Sequence, residues 1–259
     1  MKTVRSRDGT VIAYERTGEG PPVILVGGAL SDRTAGAPLA ALLAPPFTVV
    51  TYDRRGRGDS GDTAPYAVER EIEDLHALID DVGGAAFVYG MSSGAALALR
   101  AAASRLPITK LALFEPPYIV DGSRPPIPAD YLTRLNALLA AGRRGDAVAL
   151  FMTEAVGVPT ELVTQLRSDP MWPRLEATAH TLPYDHAVLG DMAIPTELAA
   201  SVTIPTLVVD GGASPAWLRQ ATEAVAAILP GARRQTLEGQ THAVAPDALA
   251  PVLLAFFAG

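Results

Sequence analysis

The chain contains no cysteine. That excludes disulfides, thiolate catalysis and cysteine-ligated metal sites, and it points to a reducing, cytoplasmic compartment. Charge is also scarce: Asp, Glu, Lys and Arg make up 19% of the 259 residues, against roughly 25% in an average domain. The net charge of −7 argues against a nucleic-acid partner. No membrane-spanning run is present, because the longest apolar stretch, from Gly83 to Leu99, is interrupted by Ser92, Ser93 and several glycines. The opening MKTVRSRDGT has no apolar leader segment, so no signal peptide is expected. A phosphate-binding loop with a lysine, an HExxH pair and an EF-hand loop are all missing. The four histidines, His76, His180, His186 and His242, form no helical pair at ligand spacing, so no metal is expected.

What is present is apolar material, 49% of the chain, which excludes a disordered protein and favours one α/β domain. Strand-like runs occur at Val11–Arg16, Pro22–Val26, Phe47–Tyr52, Ala86–Tyr89 and Leu111–Phe114. Between them lie helical patterns, one with Ile72, Leu75, Ile79 and Val82 on a single face and one at Ala95–Ala103. Strands alternating with helices at these intervals predict a parallel sheet. From 118 to about 200 no strand-like run appears, only helical stretches at Tyr131–Ala141, Asp146–Ala155 and Thr160–Arg167. The alternation then resumes with Thr206–Val209, Trp217–Leu229, Arg233–Leu237 and Pro246–Phe257. The chain therefore divides into a core of residues 1–117 and 201–259 and a helical cap of residues 118–200. An insertion over the carboxyl ends of sheet strands is where a ligand-covering lid belongs.

The strand at Ala86–Tyr89 runs into Gly90-Met91-Ser92-Ser93-Gly94 and then a helix. A G-x-S-x-G between strand and helix is a nucleophile elbow. The turn is sharp, so the positions flanking the serine must be small, and Gly90 and Gly94 supply that room around Ser92. Ser93 does not fit the pattern, since it would need glycines where Met91 and Ala95 stand.

With these features in chain order, the sequence resembles the α/β-hydrolase fold along nearly its whole length. It looks most like the esterase, non-haem haloperoxidase and C–C hydrolase group. The resemblance rests on the loop after Val23–Val26, the run from Tyr52 to Ser60, the elbow, and Gly239-Gln240-Thr241-His242. It implies a mostly parallel eight-stranded sheet flanked by helices, with the cap between strands 6 and 7. The serine–acid–histidine order of this fold makes His242, between the last strand-like run and the last helix, the base.

The acid departs from the family pattern. Where the family usually has G-x-x-D, this chain has Gly211-Gly212-Ala213-Ser214. Two carboxylates are candidates for the vacant role: Glu115, which ends the strand before the cap and is favoured because haloalkane dehalogenases can use that position, and Asp210. The resemblance also implies an oxyanion hole from the backbone amides of Ser93 and Ala29, with Gly27 standing where relatives usually have His. Ser31 and Asp32 read as a helix cap. The run from Asp53 to Ser60, with three arginines, reads as structural rather than as a phosphate site. In the cap, Trp172, Tyr184 and His180 are candidate substrate-binding residues, and Met152, Met171 and Leu182 suggest an apolar pocket.

The expected function is that of a cofactor-independent serine hydrolase acting on a small to medium, largely apolar ester, lactone or C–C ketone. Its alternatives are a cyclase or lyase on the same fold, or a ligand-binding receptor with little turnover. The expected partner is a small-molecule substrate, with neither nucleic acid nor membrane; a homodimer stays open.

Overall fold

The computed structural model describes residues 1–120 and 122–259. Eight strands form one sheet: β1 (Lys2–Arg5), β2 (Val11–Thr17), β3 (Pro22–Val26), β4 (Thr48–Tyr52), β5 (Ala86–Met91), β6 (Ile108–Phe114), β7 (Thr206–Gly211) and β8 (Arg233–Leu237). Their spatial order is β1-β2-β4-β3-β5-β6-β7-β8. The β1–β2 and β2–β4 pairs are antiparallel and the remaining pairs parallel.

The central strands are buried on both faces, which is why Val23, Ile24, Leu25 and Val26 form a continuous apolar run rather than an alternation. One face is covered by α1 (Ala37–Leu43) and α11 (Pro246–Ala258), through Leu39, Leu43, Leu253 and Phe257. The other is covered by α2 (Val68–Asp81), α3 (Ser93–Ala103) and α10 (Ala216–Ile228), through Leu75, Ile79, Leu97 and Val225.

In the sheet and the helices that flank it, two elements have no counterpart in the sequence reading. The strand β1, K-T-V-R, is short and mostly exposed and has no apolar run to mark it; as an edge strand it carries Lys2, a residue that discourages further pairing. For α1 the signals exist: Pro38 sits in the first turn, where its missing N–H costs nothing, and Pro45-Pro46 follow the end.

Between β6 and β7 the chain is helical: α4 (Tyr131–Ala140), α5 (Arg144–Leu150), α6 (Thr160–Leu166), α7 (Trp172–Thr178), α8 (Leu182–Leu189) and α9 (Thr196–Ala200). The single helix expected over Asp146–Ala155 is split, because α5 passes into a π-type turn at Phe151–Val156. This segment has its own apolar cluster around Tyr131, Leu135, Val148, Trp172 and Leu182, and α8 packs on α3. Among the described residues no helix is long and apolar enough to cross a membrane.

Candidate active site

Parallel strands bring their carboxyl ends to one edge of the sheet, and the loops that follow them build the site. Ser92 follows β5 at φ 55° and ψ −126°, a left-handed conformation that costs a non-glycine residue about 1–3 kcal/mol. The conformation is held from both sides: Ser92 N–H donates to Phe114 O at 2.9 Å, and Ser92 O accepts from Ala95 N–H at 2.9 Å. A Cβ on Gly90 would meet the backbone of Gly94 and Ala95, and one on Gly94 would run into the carbonyls of Val26 and Gly27. The small residues of the elbow are therefore demanded by the backbone packed around them. Gly94→Ala is expected to destabilise the protein by roughly 1–3 kcal/mol, since backbone atoms must move to admit the methyl; urea unfolding at constant m-value measures it.

His242 lies in the loop between β8 and α11. That loop is tied to the end of β7 by Gly212 N–H to Leu237 O at 2.8 Å and Ala213 N–H to Gln240 O at 2.8 Å. His242 Nδ1 lies 2.6 Å from Glu115 Oε2, and Glu115 Oε1 accepts from Gly211 N–H at 2.8 Å. Glu115 is fully buried and sits at φ 45°, directly after β6. Both oxygens of its carboxyl thus have a fixed partner, one of them the imidazole.

The other carboxylate weighed in the sequence does not reach the histidine. Asp210, also fully buried, lies 3.2 Å from Arg234 Nε and 3.1 Å from Thr236 Oγ1. The reason is the pleat and the topology. Asp210 is a residue of β7 and its side chain pairs with the neighbouring edge strand β8, whereas Glu115 lies just beyond the last paired residue of β6, where the backbone turns. Ser214, at the usual acid position, has a buried hydroxyl without a partner.

The loop after β3 comes down on Ser92. A Cβ on Gly28 would lie 3.1 Å from Ser92 Cβ and 3.7 Å from Ser92 Oγ. Among the described residues, the N–H groups of Ala29 and Ser93 donate to no protein acceptor; Ser93 is the first residue of α3, where an amide has no partner within the helix. Asp32 caps the following 3₁₀ turn by accepting from Thr34 N–H at 2.9 Å.

A cavity of about 130 Å³ opens beside these groups, bordered by Ala29, Ser92, Ser93 and His242. The cap contributes mainly apolar atoms, among them Phe151 and Val156 of the π-type turn and Leu182 of α8, and the core adds Trp217 of α10. Three cap residues singled out from the sequence lie elsewhere. Trp172 is in the cap's own core with Nε1–H donating to Glu176 at 2.9 Å. Tyr184 stacks on Tyr66 at 4.0 Å and donates to Asp62 at 2.7 Å. His180 has a buried Nδ1 without a partner and does not border the cavity. Met171 is exposed and Met152 packs in the cap. In a short helix one residue's shift in position rotates a side chain by about 100°, so His186 and Asp185 face the cavity while Tyr184 faces the core's Tyr66. Burial lowers the His186 pKa below the ordinary imidazole value and favours its neutral form. Asp185, Tyr131 and Trp217 are cavity-lining residues that sequence reasoning missed; His186, which like His180 stands in the insertion where it could face a substrate, does border the cavity.

The arginine run is buried and paired throughout. Arg54 meets Glu71 at 2.7 Å and Asp185 at 2.8 Å, Arg55 meets Asp74 at 2.7 Å, and Arg57 meets Asp185 at 2.7 Å. Burial works against the Asp185 carboxylate, but the charges of Arg57 and Arg54 outweigh it and hold the group below the usual carboxylate range.

A model of the alpha/beta hydrolase family matches residues 23–252. The solved structure of an alpha/beta hydrolase from Sphaerobacter thermophilus DSM 20745 is 71% identical, with 99% of this chain and 100% of that one covered and a TM-score of 0.96. A hydrolase structure from Pseudomonas aeruginosa PA01 is 24% identical over 100% of this chain and 98% of its own, at a TM-score of 0.77; at that identity the likeness concerns the fold alone. Among curated relatives, an uncharacterized hydrolase from Bacillus subtilis (YraK) is 39% identical over 95 residues, which span 35% of this chain and 35% of that protein.

Proposed function

The chain belongs to the alpha/beta hydrolase family, and on that premise we propose that it is a cofactor-independent serine hydrolase working through an acyl-enzyme at Ser92. The observation that carries this reading is the 2.6 Å contact of His242 Nδ1 with the buried Glu115, in a site where Ser92 and His242 border one cavity. With its proton on Nδ1, His242 donates to Glu115 and presents a bare Nε2 as base.

In this mechanism Ser92 Oγ attacks the substrate carbonyl as His242 takes its proton. The oxygen that gains charge lies between the amides of Ala29 and Ser93, and preorganised donors of this kind are worth most where charge develops. His242 returns the proton to the leaving oxygen or carbon. A water, deprotonated by the same imidazole, then attacks the acyl carbon; the bond to Ser92 Oγ breaks, His242 returns the proton to that oxygen, and the acid leaves.

The cavity supports the proposed substrate class. At about 130 Å³ it is near the volume that holds one benzene ring, and its lining is mostly apolar. It suits a small acyl group of an ester, lactone or C–C ketone, with Tyr131, neutral His186 and the arginine-paired Asp185 among the polar residues the cap contributes. Turnover of p-nitrophenyl acetate and butyrate is expected to exceed that of the decanoate by about tenfold or more in kcat/KM. A fluorophosphonate probe is expected to add its mass to the peptide holding Ser92. A protein that neither turns over these esters nor takes the label would overturn the reading.

A further inference from the structure

Four charged side chains, Arg54, Arg57, Glu71 and Asp185, are each no more than 2% exposed and form one neutral cluster beneath the cavity. Three of them belong to the core. Asp185 alone comes from the cap helix α8. The proposed acyl chemistry uses none of the four, yet their hydrogen bonds lead to the two backbone amides on which it depends.

Arg57 Nη1–H donates to Gly28 O at 2.6 Å, and Ser31 Oγ–H donates to the same oxygen at 2.7 Å. Gly28 C=O and Ala29 N–H belong to one planar trans peptide and point in opposite directions. Two donors on the carbonyl therefore aim the Ala29 amide, and they polarise it as well. Arg57 is held in turn by Asp185 Oδ2 at 2.7 Å. The other oxygen, Asp185 Oδ1, accepts from Arg54 Nη1–H at 2.8 Å and from Ser93 Oγ–H at 2.7 Å. Ser93 carries the second amide. One carboxylate of the cap thus reaches both donors, each through one intervening side chain.

We infer that Asp185 is a positioning residue through which the cap assembles the oxyanion hole, orienting Ala29 N–H by way of Arg57 and seating Ser93 by direct hydrogen bonding. The inference rests on the serine-hydrolase reading above. The oxyanion hole is complete only when α8 is docked on α3. With α8 displaced, Arg57 loses its partner, the Gly28–Ala29 peptide loses a donor that sets its plane, and the two arginines retain only Glu71 as a buried counter-charge.

The test is Asp185→Asn, which keeps the shape and removes the charge. A misaimed oxyanion donor weakens the transition state and leaves ground-state binding alone. For p-nitrophenyl acetate, kcat is expected to fall about 30- to 100-fold with KM within threefold of wild type. The affinity for a trifluoromethyl ketone, which binds as an oxyanion adduct on Ser92, is expected to fall by the same factor as kcat/KM. Turnover within threefold of wild type, or a loss of turnover without the matching loss of ketone affinity, would overturn the inference. Should Asp185→Asn fail to fold by circular dichroism, Ser31→Ala removes the second donor to Gly28 O from a partly exposed position. It is expected to show the same parallel loss, roughly three- to tenfold, and no change would count against the inference. A wild-type protein without Ser92-dependent turnover would instead remove the hydrolase reading, and the inference with it.

Discussion

Ser92→Ala is expected to reduce ester turnover by about 10⁵- to 10⁶-fold and to abolish fluorophosphonate labelling. The substitution deletes one oxygen, and the elbow around it is fixed by backbone: the Ser92 amide stays bonded to Phe114 O and the following helix to Ser92 O. Folding should be unaffected. Alanine even tolerates the left-handed φ no worse than serine does, since both carry a Cβ at the same cost. What remains after the deletion is the pocket and two amides, which can still lower the barrier for direct attack by water. For that reason the residual rate should stay above the uncatalysed one. Matched pre-steady-state and steady-state assays on wild type and variant check this. A variant that retains more than about a tenth of wild-type turnover would place the chemistry on another group.

Glu115→Gln is expected to cost about 10⁴-fold in kcat, whereas Asp210→Asn should stay within about tenfold of wild type. The first figure follows from the proton inventory of the site. Gly211 N–H donates to Glu115 Oε1, so a glutamine must keep its carbonyl oxygen there. Its NH₂ group then faces His242 Nδ1. Two donors cannot meet, so the imidazole is driven to carry its proton on Nε2, where it blocks rather than accepts the serine proton. The side chain keeps its size and its neighbours, so the loss is one of tautomer and charge rather than of packing. Asp210 is equally buried, but its partners are Arg234 and Thr236 on β8. Its replacement should register in stability before it registers in rate. Measuring kcat and the unfolding midpoint for both variants separates the two. Equal rate losses for both would argue that β7 and its carboxylate, not Glu115 alone, sustain the histidine.

The contrast between these two acids shows where the reading of the sequence ran out. The glycine spacing around Ser92 and the place of His242 between the last strand and the last helix are local patterns, and each is set by backbone within a few residues. Glu115 and Asp210 are alike in local terms. Both end or follow an apolar parallel strand and both are fully buried. They differ in which neighbour their strand has, β7 for one and β8 for the other. The cap was legible as a helical interruption but not as a surface. Its helices are short, so that Tyr184, Asp185 and His186, consecutive in the chain, reach a stacked tyrosine, a buried ion cluster and the cavity respectively.

By itself the sequence determined an alternating α/β chain with a helical insertion, a serine held in an elbow of small residues, and a histidine near the end of the chain. Burial on both faces demands continuous apolar strands, and a sharp strand-to-helix turn demands glycine. Both demands act over neighbouring residues and leave a mark in spacing. Only the tertiary structure decided that Glu115 meets His242, that Trp172, Tyr184 and His180 turn away from the cavity, and that Asp185 crosses from the cap to Arg57 and Ser93. Those outcomes join residues tens to more than a hundred positions apart. Nothing in the local pattern of a strand or helix specifies such a partner; strand order and the docking of α8 on α3 do.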